Sequence, residues 1–363
     1  MNLDDASLAK VITPALLIDL TAVQRNVDRL VAMAGLERLR PHVKTSKLVR
    51  TFELLHASGL RRFKCATTRE AEHLLSVVED GADVLVAYPH QGPALQRLAA
   101  LALEKPGVRL SVLTEDADHA SAVPDELGLF VDVNIGMNRT GVPVDRVETI
   151  ERIVNAAGHR FLGVHAYEGH VHSGSTEARR AQCRAAYEPL MATMLRLEER
   201  FVVPELVTSG TPSFAAALAY EPFTTLSAVH RVSPGTVVYD DLRTDTCEEL
   251  DFESAAQVVA RVVSHPAPGM LTLDAGSKAI DAAAGDPCAA VLGHPELTAL
   301  TPSEEHLPCR VDGAPLPLGT AVRLVPKHVC PTVNLAESAL VWDGEALTVA
   351  PVSSRAHDLW LDA

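Results

Sequence analysis

The sequence has 363 residues, of which 47% are hydrophobic, 22% charged and 4% aromatic. This composition is typical of a folded globular chain, and the length allows about two domains of roughly 100–200 residues, or one large α/β barrel with an appendage. The formal net charge of −15 disfavours nucleic-acid binding, because the chain repels a phosphate backbone and its basic residues are scattered.

The sequence carries no sign of membrane insertion or secretion. Apolar runs stay well short of the roughly 18–20 residues that span a membrane, and the start MNLDDASLAK is too polar for a signal peptide. The six cysteines are widely spaced, without a C-x-x-C pair, which favours reduced thiols over disulfides. We therefore predict a soluble, cytoplasmic protein.

Short apolar runs alternate with longer amphipathic segments between about Thr13 and Val238. The runs have the length of strands, and the longer segments carry apolar residues three and four positions apart, as helices do. The strands are predicted at 15–20, 84–88, 108–113, 127–133, 161–167 and 205–210, and the helices at 20–34, 68–79, 93–104, 144–157 and 176–201. About eight strand–helix units predict a parallel sheet, and at this length an eight-fold (β/α)8 barrel is its most economical closure.

The pattern changes after about residue 250. Short β-branched segments such as AAQVVARVV, MLTLD, AVRLVP, SALVW and ALTVAPV are separated by Pro, Gly and Asp, which predicts an antiparallel β-domain. The predicted fold class is α/β, a TIM-type (β/α)8 barrel with a C-terminal antiparallel β-domain. We assign 13–250 to the barrel, and 1–12 with about 250–363 to the β-domain.

The segment RPHVKTSK (40–47) holds the first candidate site residue. It precedes a helix predicted at 48–57, at the carboxyl end of a barrel strand, where barrel enzymes place their active sites. A lysine in that position, against the barrel core, can lose its proton readily enough to form a Schiff base. The alternative is that Lys44 and Lys47 are surface lysines at the start of a helix.

Three further segments hold candidate site residues. Arg139, in VDVNIGMNRTG, can donate to an anionic oxygen or simply cap a helix as a loop arginine. The segment VTSGTPS (207–213) has small residues before a helix, which suits an anion or an ordinary N-cap. The segment SPGT (233–236) is by itself a weak turn signal.

In the predicted β-domain, His328 and Cys330 lie two residues apart. On an extended strand both side chains point the same way, so both can bind one metal ion and leave positions for water and substrate. The alternative is a buried histidine beside a buried cysteine.

Taken in chain order, these segments resemble the D-serine dehydratase / D-threonine aldolase family of the alanine-racemase-like (fold type III) pyridoxal phosphate (PLP) enzymes. The resemblance covers nearly the whole chain. It runs from TPALLIDL through RPHVKTSK, NIGMNRTGV, GVHAYEGH, SGTPSF, SPGTVVYDD, LDAGSKA and SEEH to PKHVCPTVNL. Several motifs in the right order are far more specific than any one of them.

The resemblance implies a role for each matching residue. Lys44 would carry PLP as a Schiff base, Arg139 would contact the cofactor's phenolic oxygen, and Tyr167 would approach its pyridine nitrogen. The residues that would hold the cofactor's phosphate are Ser209, Gly210, Thr211, Gly235 and Thr236. The family's metal-ligand pair falls on His328 and Cys330.

The family chemistry implied by the resemblance acts on 3-hydroxy D-amino acids. In the dehydratase reaction Lys44 removes the Cα proton, and in the aldolase reaction His170 or His172 are speculative helpers. Family aldolases tend to carry Asp where Cys330 stands, and a thiolate favours Zn2+ over Mn2+ or Mg2+. We therefore predict dehydration of D-serine or a related 3-hydroxy D-amino acid to a keto acid and ammonia. The alternative is D-threonine aldolase-type cleavage to glycine and an aldehyde.

Two other classes fit the sequence less well. A non-catalytic PLP-binding protein would be a shorter single barrel. An alanine-type racemase needs a second acid–base group, usually a C-terminal tyrosine, and no tyrosine follows Tyr239. The resemblance also implies a homodimer in which the partner's β-domain completes each site. We expect a small-molecule D-amino acid substrate, and neither a nucleic acid nor a membrane as partner.

Overall fold

The computed structural model describes residues 8–172, 174–247 and 249–359. The parts 1–7 and 360–363 of the predicted β-domain lie outside the described residues. The chain divides into two compact units, which we call the barrel unit and the β unit. The barrel unit comprises the described residues of 30–44, 52–235 and 357–363, and the β unit comprises those of 1–29, 45–51 and 236–356.

The elements of the described chain are as follows. The strands are β1 (Ala15–Asp19), β2 (Arg62–Cys65), β3 (Asp83–Val86), β4 (Arg109–Thr114), β5 (Gly128–Asn134), β6 (Val142–Pro143), β7 (Phe161–Ala166), β8 (Glu205–Thr208), β9 (Val229–Val232), β10 (Ala256–Ser264), β11 (Met270–Leu273), β12 (Ala289–Val291), β13 (Leu297–Ala299), β14 (Leu307–Val311), β15 (Ala321–Pro326), β16 (Ser338–Trp342) and β17 (Leu347–Pro351). The helices are α1 (Leu20–Ala34), α2 (Val49–Ala57), α3 (Thr68–Leu75), α4 (Pro93–Glu104), α5 (Ala117–Ala122), α6 (Val147–Ala157), α7 (Thr176–Glu198), α8 (Phe214–Leu218) and α9 (Val329–Leu335).

The barrel unit is a ring of parallel strands. β2, β3, β4, β5, β7, β8 and β9 pair in that order, and β6 pairs with β5 off this path. The segment 39–43 closes the ring, because Leu39 bridges Val232 of β9 and His42 bridges Lys64 of β2, both in parallel. This segment acts as the first barrel strand, and the predicted (β/α)8 barrel is confirmed. Apolar side chains of β3, β4, β5 and β8 fill its interior.

A buried ion network lies at the amino ends of the barrel strands. The Arg40 guanidinium is fully buried and reaches the first residues of β3 and β8, with Nη1 2.9 Å from Asp83 Oδ1 and Nε 2.7 Å from Glu205 Oε1. Arg109 and Arg231 pair with the same two carboxylates. Because barrel enzymes keep their chemistry at the opposite face, we interpret this network as structural.

The β unit contains a closed antiparallel barrel. β10, β11, β14, β13, β12 and β15 follow one another around it, and the additional pairing of β10 with β11 completes the ring. Its core is apolar and includes Val258, Leu271, Leu307 and Leu324. The five segments predicted from the sequence correspond to β10, β11, β15, β16 and β17, so the predicted antiparallel β-domain is confirmed.

The first predicted barrel strand lies in the other unit. β1 pairs antiparallel with β10 and parallel with β16, and Leu17 packs in a small apolar cluster with Val259. The compact units therefore differ from the predicted boundaries near residues 13 and 250. An apolar run such as ALLID is buried in either kind of sheet, so its composition does not reveal which sheet it joins.

The helices follow their apolar periodicity. In α1 the buried residues Val23, Val27 and Leu30 recur at the spacing of one helix face, and the predicted range 20–34 is the observed one. Among the described residues, none of the helices has both the length and the apolar character that crossing a membrane requires.

Candidate active site

Lys44 lies at the carboxyl end of the segment that closes the barrel. Its side chain is exposed, and its backbone N–H donates to His42 Nδ1 at 3.3 Å. Lys47 differs, because it is buried in the β unit and its Nζ donates to the Ser354 carbonyl at 3.3 Å. Of the two lysines in RPHVKTSK, Lys44 is therefore the accessible one.

Tyr167 follows β7 and connects several predicted cofactor residues. Arg139 Cζ lies 5.1 Å from the centre of its half-buried ring. On another side, Gly210 packs so closely that an added Cβ would be 3.0 Å from Tyr167 Cε2 and 3.2 Å from Oη. The barrel unit thus brings Arg139, Tyr167 and Gly210 together at the carboxyl ends of its strands.

The predicted phosphate residues follow β8 and β9. These are the seventh and eighth barrel strands when 39–43 counts as the first, and barrels often bind phosphate in the loops after those strands. Ser209 has a left-handed backbone (φ 64°), and its buried Oγ has no hydrogen-bond partner within the described chain. Thr211 Oγ1 accepts the Gly235 N–H at 3.2 Å. An orphaned hydroxyl beside a glycine fits a phosphate oxygen.

His170 and His172 are both exposed. The His170 ring packs against Gly136, where an added Cβ would be 3.1 Å from His170 Cε1. This contact brings His170 to the loop that also carries Arg139. The described geometry does not test a catalytic role for either histidine, so both stay predictions.

Sequence reasoning missed a buried polar group inside the barrel mouth. Lys64 of β2 is only 3% exposed, and its Nζ lies 3.5 Å from His165 Nε2 and 5.7 Å from the centre of the Tyr167 ring. His165 Nδ1 lies 2.7 Å from Asp132 Oδ1. The sequence signal that could have revealed this group is a single charged or polar residue within each of the otherwise apolar strand segments RFKC, VDV and VHA.

Burial and neighbouring charges set the protonation of this group. Burial, reinforced by the positive charge of Lys44, lowers the pKa of Lys64 to about 7. Burial also lowers the pKa of His165, although its hydrogen bond with Asp132 opposes the shift. Burial opposes ionisation of Asp132, but the hydrogen bond and charge of His165, the hydrogen bond from Thr140 and the charge of Arg139 together hold the pKa of Asp132 below its usual range.

A buried carboxyl group follows Tyr167. Glu168 is fully buried, and its Oε1 accepts a hydrogen bond from Tyr187 Oη at 2.7 Å. Burial raises the pKa of Glu168, opposed by hydrogen bonds that include one from the Ser209 backbone. This carboxyl group therefore helps to position the loop of the predicted phosphate residues.

The predicted metal pair lies in the β unit, but not on a strand. β15 ends at Pro326, His328 immediately precedes α9, and Cys330 belongs to the first turn of that helix. The predicted extended i, i+2 geometry is therefore wrong. The helix begins here because Asp241 Oδ2 accepts the N–H of Val329 at 3.0 Å, which satisfies a donor that the first helical turn leaves open.

The two side chains nevertheless meet. A hydrogen bond with the Cys330 thiol raises the pKa of His328, against the effect of burial. Thr45 Oγ1 and Thr236 Oγ1 lie 3.1 and 3.8 Å from Cys330 Sγ. Thr236, predicted to bind phosphate, thus contacts the cysteine within the β unit.

The chemistry of the pair suits a borderline-soft divalent ion. An imidazole nitrogen and a thiol sulfur are ligands that Zn2+ prefers. Asp281 Oδ2, 3.8 Å from His328 Nδ1, has no hydrogen-bond partner in the described chain. The described residues contain no cluster of three His, Cys, Asp or Glu arranged around a metal position. The two residues thus fit an ion with open positions for other ligands.

Comparison with known families accounts for both units. Residues 18–242 match the family model "Alanine racemase, N-terminal domain", and residues 255–342 match "Putative serine dehydratase domain". The chain belongs to the D-serine dehydratase / D-threonine aldolase family. These proteins are fold type III PLP enzymes, and the resemblance inferred from the sequence motifs is confirmed.

Individual relatives cover nearly the full length of the chain. A D-threonine aldolase of Arthrobacter sp. is 32% identical over 96% of this chain and 94% of its own. A D-threo-3-hydroxyaspartate dehydratase of Delftia sp. (strain HT23) is 29% identical over 93% and 96%. Among solved structures, D-threonine aldolase from Filomicrobium marinum superposes with a TM-score of 0.84 at 28% identity, covering 96% of both chains.

Proposed function

We propose that the protein is a PLP- and zinc-dependent lyase that dehydrates a 3-hydroxy D-amino acid, such as D-serine, to a keto acid and ammonia. The lyase class has broad support, because curated relatives are named D-threonine aldolase, 3-hydroxy-D-aspartate aldolase and D-threo-3-hydroxyaspartate dehydratase. The observation that carries the choice of dehydration is the cysteine at position 330.

Cys330 supports dehydration through the kind of ion that it selects. Family aldolases tend to carry an aspartate there, whereas a thiolate favours Zn2+. Solved structures of D-threo-3-hydroxyaspartate dehydratase include a histidine-to-alanine variant and a cysteine-to-alanine variant described as metal-free, and the two altered positions are two residues apart. His328 and Cys330 have the same spacing and order.

The barrel residues would hold the cofactor and move the proton. When bound, PLP withdraws electrons from Cα of the substrate and makes its proton acidic. The exposed amine of Lys44 would attach the cofactor, and after the substrate displaces it, would take the Cα proton. The unpartnered hydroxyl of Ser209 would donate to the phosphate. Tyr167 would face the ring nitrogen with a neutral hydroxyl, which leaves that nitrogen less protonated than a carboxylate would.

The β-unit residues would supply the second half of the reaction. When bound, a divalent ion acts as a Lewis acid that makes the β-hydroxyl a better leaving group. The His328 imidazole and the Cys330 thiolate would hold it, with Thr45 Oγ1 close enough to donate to the sulfur. We also propose a homodimer whose partner β-domain completes each site, and light scattering that reports a monomer would contradict it.

Retro-aldol cleavage to glycine and an aldehyde is the second candidate. It is favoured by the 32% identity to the D-threonine aldolase of Arthrobacter sp.. In that reaction the exposed His170 or His172 would assist deprotonation of the β-hydroxyl.

Product analysis separates the two reactions. The protein loaded with PLP and Zn2+ is incubated separately with D-serine, D-threonine and D-threo-3-hydroxyaspartate, with L-serine as the stereochemical control. Ammonia with the matching keto acid supports dehydration. Glycine with an aldehyde from D-threonine contradicts it and supports the aldolase. A coloured protein that turns over none of these substrates supports the non-catalytic alternative.

A further inference from the structure

The sulfur of Cys330 faces two threonine hydroxyl groups. Thr45 Oγ1 lies 3.1 Å from Cys330 Sγ, and Thr236 Oγ1 lies 3.8 Å from it. Thr45 is fully buried, and all three residues belong to the β unit. The shorter distance makes the Thr45 hydroxyl the stronger partner of the sulfur.

The direction of this hydrogen bond depends on the state of the sulfur. A neutral thiol and a hydroxyl can each donate to the other. The thiolate form, which is the one that binds metal ions, has no proton and can only accept, so Thr45 is then the donor. A hydrogen bond to a charged acceptor is stronger than one between neutral groups. The contact between Thr45 and Cys330 therefore favours the metal-binding form of the sulfur.

Buried hydrogen bonds of Tyr239 hold the backbone next to Thr45. The Tyr239 hydroxyl donates to the Ser46 carbonyl at 3.2 Å. Because that hydroxyl has only one proton, Thr51 Oγ1, at 2.8 Å, is the donor in the contact between the two side chains. The Tyr239 N–H donates to the Thr236 carbonyl at 3.0 Å, so the same residue also fixes the turn that carries the second hydroxyl.

The next residue along the chain is fixed as well. The Lys47 carbonyl accepts the Ser354 N–H at 3.1 Å, and Lys47 Nζ donates to the Ser354 carbonyl at 3.3 Å. Both residues are buried. The fold of the β unit therefore sets the position of the Thr45 hydroxyl before any ion binds.

The metal pair needs such support because it offers only two side chains. His328 and Cys330 leave other positions of an ion open, so few direct bonds set the direction of the sulfur. The Cys330 side chain can rotate about its Cα–Cβ bond, and a fixed donor at 3.1 Å restrains that rotation. Partners of this kind orient the ligands of metal sites, and their loss typically weakens metal binding.

We propose that Thr45 is a positioning residue whose hydroxyl donates a hydrogen bond to Cys330 Sγ, orients the thiolate and strengthens its hold on the divalent ion. The short distance, the burial of the hydroxyl and the fixed backbone around it carry this inference. It rests on the proposed binding of the ion by His328 and Cys330. It also explains why position 45 carries a hydroxyl.

The first test measures metal binding without turnover. The Zn2+ affinity of the full-length, PLP-loaded protein is determined by competition with a chelator. Valine has nearly the shape of threonine but lacks the hydroxyl, so we expect Thr45→Val to lower the affinity about tenfold. Thr45→Ser keeps the hydroxyl and should bind Zn2+ within about threefold of the wild type.

A spectroscopic measurement separates the hydrogen bond from a change in packing. Co2+ bound by a thiolate has a sulfur-to-metal charge-transfer band, and a hydrogen bond to the sulfur raises the energy of that band because it stabilises the sulfur electrons. The band is recorded on the full chain without PLP, whose own absorption would overlap it. Thr45→Val should move the band to longer wavelength, and Thr45→Ser should leave it in place.

Thr13→Val is the matched control. The Thr13 hydroxyl donates to Asp274 Oδ2 at 2.6 Å, so this variant also loses a hydroxyl that is bonded to a charged acceptor in the β unit. Neither the Zn2+ affinity nor the Co2+ band should change. If the Thr45→Val protein does not fold, Thr45→Ala makes the same comparison.

Two outcomes overturn the inference. One is a Thr45→Val protein with the Zn2+ affinity and the Co2+ band of the wild type. The other is a Thr45→Ser protein that loses as much affinity as Thr45→Val, which indicates that the methyl group matters instead of the hydroxyl. A wild-type protein without any sulfur-to-cobalt band contradicts the binding of the ion by Cys330, which is a separate failure of the proposed function.

Discussion

At the scale of single residues, the two lysines of RPHVKTSK show what spacing alone leaves undecided. Both precede α2, yet Lys44 is exposed at the barrel edge and Lys47 is buried with its amine on the Ser354 carbonyl. We expect Lys44→Ala to abolish the visible absorption of the PLP-loaded protein, and Lys47→Ala to retain it with lower thermal stability.

The informative failure of that prediction is a Lys44→Ala protein that keeps its colour. Lys64 is the nearby amine that burial holds at a pKa of about 7, so it would be the first candidate for the attachment. Borohydride reduction followed by peptide mapping identifies the modified lysine directly.

Replacing Ser209 should affect the stability of the cofactor-free protein and its affinity for PLP differently. Its buried hydroxyl has no partner in the described chain, and an unsatisfied buried hydroxyl costs stability. Ser209→Ala should therefore leave the cofactor-free protein equally or slightly more stable. If the phosphate is the missing partner, the same change weakens PLP binding about tenfold to a hundredfold, the loss of one hydrogen bond to a charged group.

Ser111→Ala is the control for that pair of measurements. The Ser111 hydroxyl is also buried in the barrel, but it donates to the Val84 carbonyl at 3.3 Å. Its loss should cost about 1 kcal/mol of stability and leave PLP affinity unchanged. Equal effects of both substitutions on PLP affinity, measured by fluorescence titration, would rule out a phosphate contact for Ser209.

At the scale of secondary-structure elements, apolar periodicity predicts a helix or strand correctly only where its buried residues are apolar. The amphipathic helices at 20–34 and 93–104 have the observed bounds, because their buried faces are apolar. The strands β2 (RFKC) and β9 (VHRV) escaped prediction because Lys64, His230 and Arg231 are buried in them. Partners from distant strands make that burial tolerable, and no local pattern reveals those partners.

The candidate site was predictable to a similar degree. Motif order gave Lys44, Arg139, Tyr167 and the 209–211 loop, which the barrel unit arranges at the carboxyl ends of its strands. The Asp132–His165–Lys64 chain was not predicted, because each member is a single polar residue in a separate strand. Contact between them depends on barrel closure, which is a long-range property.

Barrel closure leads to a prediction about Arg40. Its guanidinium joins the closing segment to β3 and β8 through Asp83 and Glu205. Arg40→Met should lower the free energy of unfolding by about 3–5 kcal/mol, because Asp83 and Glu205 lose the fully buried guanidinium that they share and keep only Arg109 and Arg231. Arg109→Met is the matched control. Its half-exposed side chain pairs with the same Asp83, so the expected loss is about 1 kcal/mol or less.

The ion network around Arg40 also determines whether low pH stabilises or destabilises the folded protein. Burial opposes ionisation of Asp83, but Arg40, with a smaller contribution from Arg109, holds the pKa of Asp83 below its ordinary value. A carboxyl group with a depressed pKa in the folded state stabilises it above the unfolded pKa of about 4 and loses that contribution as pH falls further. Denaturant unfolding at pH 6 and pH 3.5 should show a smaller pH difference in Arg40→Met than in the wild type.

At the scale of the whole molecule, the two units carry separate halves of the proposed chemistry. The barrel unit holds Lys44, the 209–211 loop and Gly235, and the β unit holds His328 and Cys330 together with Thr236. Binding of PLP and binding of a metal ion should therefore be separable by substitution. Chelation should abolish turnover while the visible absorption remains, and added Zn2+ should restore turnover.

Paired variants test this separation in full. Cys330→Ala removes one of the two proposed metal ligands, so the protein should lose zinc in elemental analysis and keep its visible absorption. Lys44→Ala should show the reverse, colourless protein with its zinc retained, because His328 and Cys330 are intact. Ser277→Ala, an exchange elsewhere in the β unit, should keep both groups. Loss of both groups from Cys330→Ala while it keeps wild-type thermal stability would show that the two sites are coupled, and the division of labour between the units would have to be abandoned.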